Sequence, residues 1–357
     1  MRGRIVVDES VLRKNFLAVK KKVGKGKKTI AVLKADGYGH GGAVAARACR
    51  GSSYFAVASA DEGEILSEEA EETRGKIFVL GETDGEEKAR CVRLGIGFAV
   101  QSAEDAESAQ REGRALGVPV GIHVALDTGM NRIGMKSEKE VYNAINTIKS
   151  CKNLRLLSVF SHLADVSDEG FCARQRRRFL SLSTPFSETF PSAFLHLSAT
   201  GKLGAEDYAF DGARPGLALY GYGSEGVSPC LSVTGRVVRN SYLPAGESAG
   251  YGRRFVARRG TFVATLSLGY ADGIPRSLSG GCVLLGGKRR RIVGNICMDS
   301  CFCLSDEGVR VGDEVVFLGS SGGQTLTAED VALAAGTVPY EILTGWKRLP
   351  VVRLPGG

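Results

Sequence analysis

The sequence predicts an α/β protein: an N-terminal (β/α)8 TIM-type barrel followed by a C-terminal, mainly β domain. Three observations carry this. The chain has 357 residues, more than one hydrophobic core usually organises. Through roughly its first two-thirds, short apolar runs alternate with longer charged, Ala-rich stretches, the pattern of parallel strands covered on both faces by helices. Past residue 228 the alternation gives way to strands broken by Gly, Pro and Asp, the pattern of a mainly β unit.

The strands follow in order. They are KTIAVLKA (28–35), YFAVAS (54–59), KIFVLGE (76–82), IGFAVQS (96–102), VPVGIHVALD (118–127), LRLLSVFSHL (154–163), FLHLSAT (194–200) and a short run at 210–213. Between them lie segments such as SAEDAESAQREGRAL (102–116), where Ser102 and Glu104 suit a helix N-terminus. Eight alternations point to a closed barrel, with a doubly wound open sheet as the alternative from this pattern alone. Residues 1–228 are assigned to the barrel and 229–357 to the β domain, about the first eight residues packing with the latter. SEGVSP (224–229) forms the junction, and a helix returns near TAEDVALAAG (327–336).

Composition narrows the function. No apolar stretch approaches the roughly 20 residues that span a bilayer, and the N-terminus has only a three-residue apolar run before Asp8, too short for a signal peptide. The expected location is the cytoplasm, with no membrane partner. The net charge of +8 is concentrated in three separate runs, KKKVGKGKK (20–28), RQRRR (174–178) and KRRR (288–291). No aromatics interleave with them as stacking platforms, so no nucleic-acid partner is expected. The nine cysteines are scattered, and the close pair Cys301 and Cys303 lacks metal-site spacing. Free buried thiols and no metal are the expectation.

Polar residues fall at the C-terminal ends of the barrel strands, where such barrels build their sites. They are Lys34, Asp127 with Thr128 and Arg132 just beyond, Ser161 and His162, Ser198, and Arg214. Together they suit a carbonyl cofactor. A lysine partly desolvated at a strand end has a lowered pKa and forms a Schiff base readily. Pyridoxal 5'-phosphate also needs a phosphate cup. Tyr38 four residues past Lys34, Ser198, and the amides of Gly216 and Leu217 in RPGLALYG (214–221) can form one.

With these residues assembled, the chain resembles the alanine racemases over nearly its whole length. The motifs are AVLKADGYGHG (31–41), HVALDTGMNRIG (123–134), SHLADVSD (161–168), HLSAT (196–200), RPGLALYG, SAGYGRRF (248–255), GYADGIPR (269–276) and GNICMDS (294–300). The resemblance implies a pyridoxal-phosphate-dependent homodimer that interconverts L- and D-alanine and supplies D-alanine for peptidoglycan. Lys34 matches the Schiff-base lysine and one acid/base. Tyr251 matches the second, contributed by the partner subunit to the opposite face of the substrate. His162 matches a histidine between that tyrosine and the arginine matching Arg214, which faces the pyridine nitrogen. Arg132 matches the residue bonded to the cofactor's phenolic oxygen near the substrate carboxylate. Met298 matches a backbone donor to that carboxylate, and Tyr270 matches a residue of the entrance.

Two departures from the family pattern stand out. A carbamylated lysine that steadies the arginine in well-known members is replaced by Ala125. The family's phosphate-binding tyrosine near the C-terminus has Trp346 or Lys347 near its place, in YEILTGWKRLP (340–350), with one residue fewer. These bear on specificity, so a serine or broad-specificity racemase is the alternative. A pyridoxal-phosphate-dependent decarboxylase and a non-enzymatic carrier of the cofactor stand further off.

Overall fold

The computed structural model describes residues 2–354. Two compact units emerge. One comprises Leu12–Gly37 and Gly42–Ser228; the other takes the N-terminal segment through Val11, Tyr38–Gly41, and the chain from Pro229 onward.

After β1 (Gly3–Asp8), eight strands form a closed parallel barrel: β2 (Lys28–Val32), β3 (Tyr54–Val57), β4 (Ile77–Val79), β5 (Gly97–Val100), β6 (Val120–Ala125), β7 (Leu154–Phe160), β8 (Phe194–Ala199) and β9 (Gly212–Arg214). The barrel, rather than the open sheet, is the fold. The intervening helices begin where the sequence supplies caps. Ser102 accepts from Asp105 N at 3.1 Å to start Ala103–Leu116, and Asp84 and Ser137 form reciprocal capping boxes with Glu87 and Glu140. Gly95 and Gly117 end two of these helices in left-handed conformation.

Every barrel strand differs in its bounds from the apolar run that predicts it, and the first and last differ for identifiable reasons. The first strand stops at Val32, short of Lys34, because the chain turns left-handed immediately after that lysine. The last begins at Gly212, since Phe210 sits at φ 34° and breaks the extended run. The barrel interior is more polar than the apolar pattern implies. His123 and His196 are fully buried among aromatic rings, His123 stacked on Phe78 at 4.0 Å and His196 between Phe160 and Phe194 at 5.3 and 5.1 Å.

In the second unit β1 joins β10 (Leu231–Leu243), β13 (Thr261–Leu266), β14 (Cys282–Leu285), β15 (Lys288–Val293), β16 (Cys301–Ser305), β17 (Glu314–Ser321), β18 (Gln324–Leu326) and β19 (Val351–Leu354) in a nine-stranded sheet. The short pair β11 (Ser248–Ala249) and β12 (Phe255–Val256) stands apart from it. β1 pairs antiparallel with β10 and parallel with β19. The long β10 shifts register between Val237 and Arg239, which lets it pair with β1, β13 and β17. Cys301 and Cys303 point to the same buried face of β16 as free thiols. A helix returns at Ala328–Ala335 behind the Thr327 cap. Among the described residues no helix is long and apolar enough to cross a membrane.

Candidate active site

Lys34 owes its position to an unusual turn. Ala35, Asp36, Gly37 and Tyr38 follow it at φ 54°, 53°, 61° and 53°. L-residues avoid this left-handed conformation because Cβ crowds the following carbonyl, so a run of it persists only when the surroundings impose it. The Glu62 carboxylate does so, accepting from Ala35 N and from Ala58 N at 2.8 Å each. Asp36 Oδ1 accepts from Gly42 N at 2.6 Å, and Gly37 N donates to Leu33 O at 2.8 Å. At Gly37 a Cβ would lie 3.2 Å from that of Ala45, on a backbone already at positive φ. The Lys34 amine is held below the usual lysine range by burial and then by the Arg132 charge, with Glu62 acting in the opposite sense. A larger unprotonated fraction makes it a better nucleophile and base.

Beyond β6 the chain loops out and folds back. The buried Asp127 carboxylate accepts from Gly129 N at 2.8 Å and Asn131 N at 3.0 Å, while Asp127 N donates to Met135 O at 2.8 Å. This tight return presents Arg132. Its guanidinium is exposed and has no carboxylate partner among the described residues. Ala125, where the resemblance expects a carbamylated lysine, lies in an apolar cluster with Ala99, Phe160, Leu80 and Ile133. Thr128 Oγ1 bonds Ser161 Oγ at 2.8 Å. Gln175 ties this pair to the next residue, donating to Thr128 Oγ1 and to His162 O at 3.1 and 3.0 Å.

His162 is pushed down to about 3 by burial, then by the charges of Arg214, Arg132 and Lys34. It is therefore neutral near pH 7. Arg214 is buried, and its NH1 donates to His196 Nδ1 at 2.6 Å and His196 O at 2.9 Å. Its NH2 donates to Ser161 O and, at 3.3 Å, Leu197 O. No carboxylate pairs with it among the described residues, and burial with Arg132 lowers its pKa to about 9, which leaves it cationic. Ser198 Oγ donates to Lys202 O at 2.9 Å. Thr200 Oγ1 accepts from Gly216 N and Ala218 N at 3.2 Å, steadying the short 3₁₀ turn Leu217–Tyr220. The barrel thus gathers Lys34, Arg132, His162 and Arg214 into one electrostatic neighbourhood, and Thr200 pins the Gly216–Ala218 segment. Glu62, Gln175, Thr200 and His196 were not singled out from the sequence.

The other unit carries the remaining candidates. The Tyr38 ring is buried 6.0 Å from that of Tyr340, and burial followed by Tyr340 raises its pKa. The aromatic beside Tyr38 is therefore Tyr340, whereas Trp346 is buried and Lys347 exposed. Tyr251, Tyr270 and Met298 line a cleft of about 1130 Å³ and are 75%, 42% and 53% exposed. Their loops are locked together. Tyr270 N donates to Cys297 O at 3.0 Å, Ala271 N to Met298 O at 2.9 Å, and Asn295 Nδ2 to Tyr251 O at 2.9 Å. Gly269 is obligatory there, since a Cβ would meet Cys297 O at 2.3 Å. Arg2 bridges Asp272 at 3.0 Å and Asp299 at 3.3 Å across the same two loops.

A (β/α)8 barrel with a partly buried lysine of lowered pKa at its mouth, followed by a β domain that exposes aromatic side chains, is the architecture of a two-unit enzyme. Residues 7–224 match the family model described as alanine racemase, N-terminal domain, and residues 230–353 match alanine racemase, C-terminal domain. Alanine racemase of Carboxydothermus hydrogenoformans is 35% identical over 350 residues, covering 93% of this chain and 94% of that one. That of Thermodesulfovibrio yellowstonii is 33% identical over 324 residues, covering 89% and 87%. The solved alanine racemase of D-cycloserine-producing Streptomyces lavendulae superposes with a TM-score of 0.93 at 28% identity, covering 100% of this chain and 98% of that one. Histidine racemase of Leuconostoc mesenteroides superposes at 0.88 with 25% identity, covering 99% and 98%. The chain belongs to the alanine racemase family, a family of amino-acid racemases.

Proposed function

We propose that this chain interconverts L- and D-alanine with pyridoxal 5'-phosphate, removing the Cα proton on one face and returning one on the other. The observation that carries the reading is Lys34, held on an imposed left-handed turn in electrostatic contact with Arg132 and His162. The donor set suits this cofactor: an amine of lowered pKa for an aldehyde, and cations, hydroxyls and amides for a phosphate. When bound, the group supplies an electron-accepting ring that stabilises negative charge at Cα.

The chain's residues divide the remaining work. Lys34 Nζ holds the cofactor and exchanges a proton with Cα on one face. Tyr251 from a second copy of the chain exchanges a proton on the other face through its hydroxyl. Two bases on opposite faces are what inversion requires. A phenol normally titrates near 10, so Tyr251 needs assistance, and neutral His162 can donate a hydrogen bond to its deprotonated oxygen. Arg214 faces the ring nitrogen as a donor that keeps its proton. By keeping its proton, Arg214 would leave that nitrogen unprotonated, which disfavours proton return at the wrong carbon. Arg132 and the Met298 amide hold the substrate carboxylate, and Tyr270 lines the entrance. Tyr38, Ser198, Gly216 and Leu217 hold the phosphate.

The exposed Tyr251, Tyr270 and Met298 support a homodimer with shared sites, since large aromatic and methionine side chains grouped on one face suit burial by a partner. The product serves as D-alanine for peptidoglycan in the cytoplasm. The test is NMR of α-deuterium uptake from D2O across a panel of L-amino acids, with product chirality determined. Uptake confined to alanine with D-alanine appearing supports the reading. Uptake into serine or several amino acids replaces alanine by a broader specificity, and no uptake by cofactor-loaded protein refutes racemisation in favour of a decarboxylase or carrier.

A further inference from the structure

Four polar side chains from four consecutive barrel strands form a single chain through the barrel interior. From the mouth inward they are Arg214 on β9, His196 on β8, Ser158 on β7 and His123 on β6. Arg214 NH1 lies 2.6 Å from His196 Nδ1, His196 Nε2 2.8 Å from Ser158 Oγ, and Ser158 Oγ 2.6 Å from His123 Nδ1. The last three residues are 0% exposed. At the far end His123 Nε2 is buried with no hydrogen-bond partner. An apolar filling would spare the barrel the desolvation of these groups.

The direction of every proton follows from one end. A guanidinium only donates, so His196 Nδ1 must accept. His196 is therefore neutral with its proton on Nε2, and that proton goes to Ser158 Oγ. The Ser158 hydroxyl accepts from His196 and, having no other acceptor among its hydrogen bonds to described residues, gives its own proton to His123 Nδ1. His123 then carries its proton on Nε2. The reverse polarity would set two N–H donors against each other at 2.6 Å between Arg214 and His196. Stacking on Phe78, Phe160 and Phe194 fixes the ring planes. Burial keeps both imidazoles neutral, with His123 brought down to about 3 and His196 well below the ordinary range.

The bonds to His196, Ser161 and Leu197 use both terminal nitrogens of Arg214, and its Nε has no hydrogen bond among the described residues. We propose that Ser158 and His123 are positioning residues of the racemase: by locking His196 in its accepting tautomer, they hold the Arg214 guanidinium so that Nε–H is the donor presented to the ring nitrogen. This rests on the proposed reading of Arg214. The two residues touch neither substrate nor cofactor and act only through His196.

The test uses holoenzyme selectively labelled with 15N-histidine, which gives only four imidazoles to assign. Long-range 15N–1H spectra should show His196 and His123 both neutral with the proton on Nε2. A proton on Nδ1 of either, or an imidazolium, overturns the proposal without touching Arg214's role. In Ser158→Ala the uniform tautomer of His123 should be lost. Its kcat should fall about tenfold, the worth of one hydrogen bond, while KM stays within about twofold. Ser158→Thr, which keeps the hydroxyl, should recover both the spectrum and kcat. An unchanged kcat in Ser158→Ala overturns the positioning role, as does a loss that Ser158→Thr does not recover despite wild-type tautomers. Arg214→Lys with undiminished racemisation would instead refute the underlying reading of Arg214 while leaving the tautomer pattern standing.

Discussion

Glu62 offers the sharpest test of how the barrel positions its lysine. Three non-glycine residues, Ala35, Asp36 and Tyr38, occupy the left-handed region, at about 1 kcal/mol or more each. Against this stands one hydrogen bond from the turn to the Glu62 carboxylate, Ala35 N at 2.8 Å, while Ala58 N at 2.8 Å fixes that carboxylate in place. Bonds to a charged acceptor contribute about 1.5–3 kcal/mol each, and the half-exposed position of Glu62 argues for the lower end. Glu62→Ala should then favour opening of the turn by about 1.5–2 kcal/mol, a roughly 10- to 30-fold rise in the open population. Hydrogen exchange of peptides covering residues 33–42 reads this directly, and kcat/KM should fall at least about tenfold as Lys34 loses its fixed place. Glu62→Gln keeps one acceptor but loses the charge. Because that charge raises the Lys34 pKa, the pH midpoint for cofactor capture by the apoprotein should move lower in this variant. Wild-type exchange across 33–42 together with unchanged kcat/KM in Glu62→Ala would refute the argument that this carboxylate imposes the turn.

The other expectations concern the lysine, the shared site, the buried histidines and the exposed loops. Lys34→Ala should leave no borohydride-fixable attachment of cofactor to the chain; mass spectrometry finding the label elsewhere would remove Lys34 from its role. Inactive Lys34→Ala and Tyr251→Phe proteins, once mixed and exchanged, should regain activity through one complete site per heterodimer. No recovery despite proven subunit exchange would contradict sharing. His123 and His196 stay neutral when folded, so the unfolded chain binds more protons as pH falls through about 6.5. Stability is thus full above that pH and lost downward toward about 3 for His123, with a slope up to about 1.4 kcal/mol per pH unit for each histidine. Urea midpoints that stay flat from pH 7 to about 4.5 would contradict this. Gly269→Ala places a Cβ 2.3 Å from Cys297 O, so it should spread the Tyr270 and Met298 loops and cost well over about 1 kcal/mol. A wild-type melting temperature and KM would show that the loops yield freely.

The strand pattern was legible because burial on both faces leaves continuous apolar runs, and the barrel mouth followed from where those runs end. The turn after Lys34 was not. Gly37 hints at positive φ, but Ala35 and Asp36 carry no such signal, and the Glu62 carboxylate that imposes it lies 27 residues away in sequence. Gln175 and Thr200 were hidden for the same reason, since each serves partners on separate elements. His123, Ser158 and His196 read as ordinary members of apolar strands, and only barrel closure brings them into one line. The contact of Tyr38 with Tyr340 was hidden likewise, since the helix Pro339–Thr344 that supplies Tyr340 lies far along the chain.

The electrostatics of the barrel mouth tie these observations to the chemistry. Lys34, Arg132 and Arg214 depress one another's or His162's hold on a proton, and the anion influencing Lys34 is Glu62, already committed to backbone amides. Ala125 adds no charge where the family resemblance expects a second fixed anion. An assembly of like charges in a partly desolvated cleft favours whatever anion neutralises it. The proposed phosphate-bearing cofactor and substrate carboxylate would both do so, and the surplus charge would then add to their binding. Burial, and then the same surplus, holds the Lys34 amine below the usual lysine range and His162 neutral, the directions that the proposed two-sided proton exchange at Cα calls for. Positive charge at this mouth therefore suits both affinity and acid/base poise in the proposed reaction, where Arg214, buried with no carboxylate partner among the described residues, would donate to the ring without surrendering a proton.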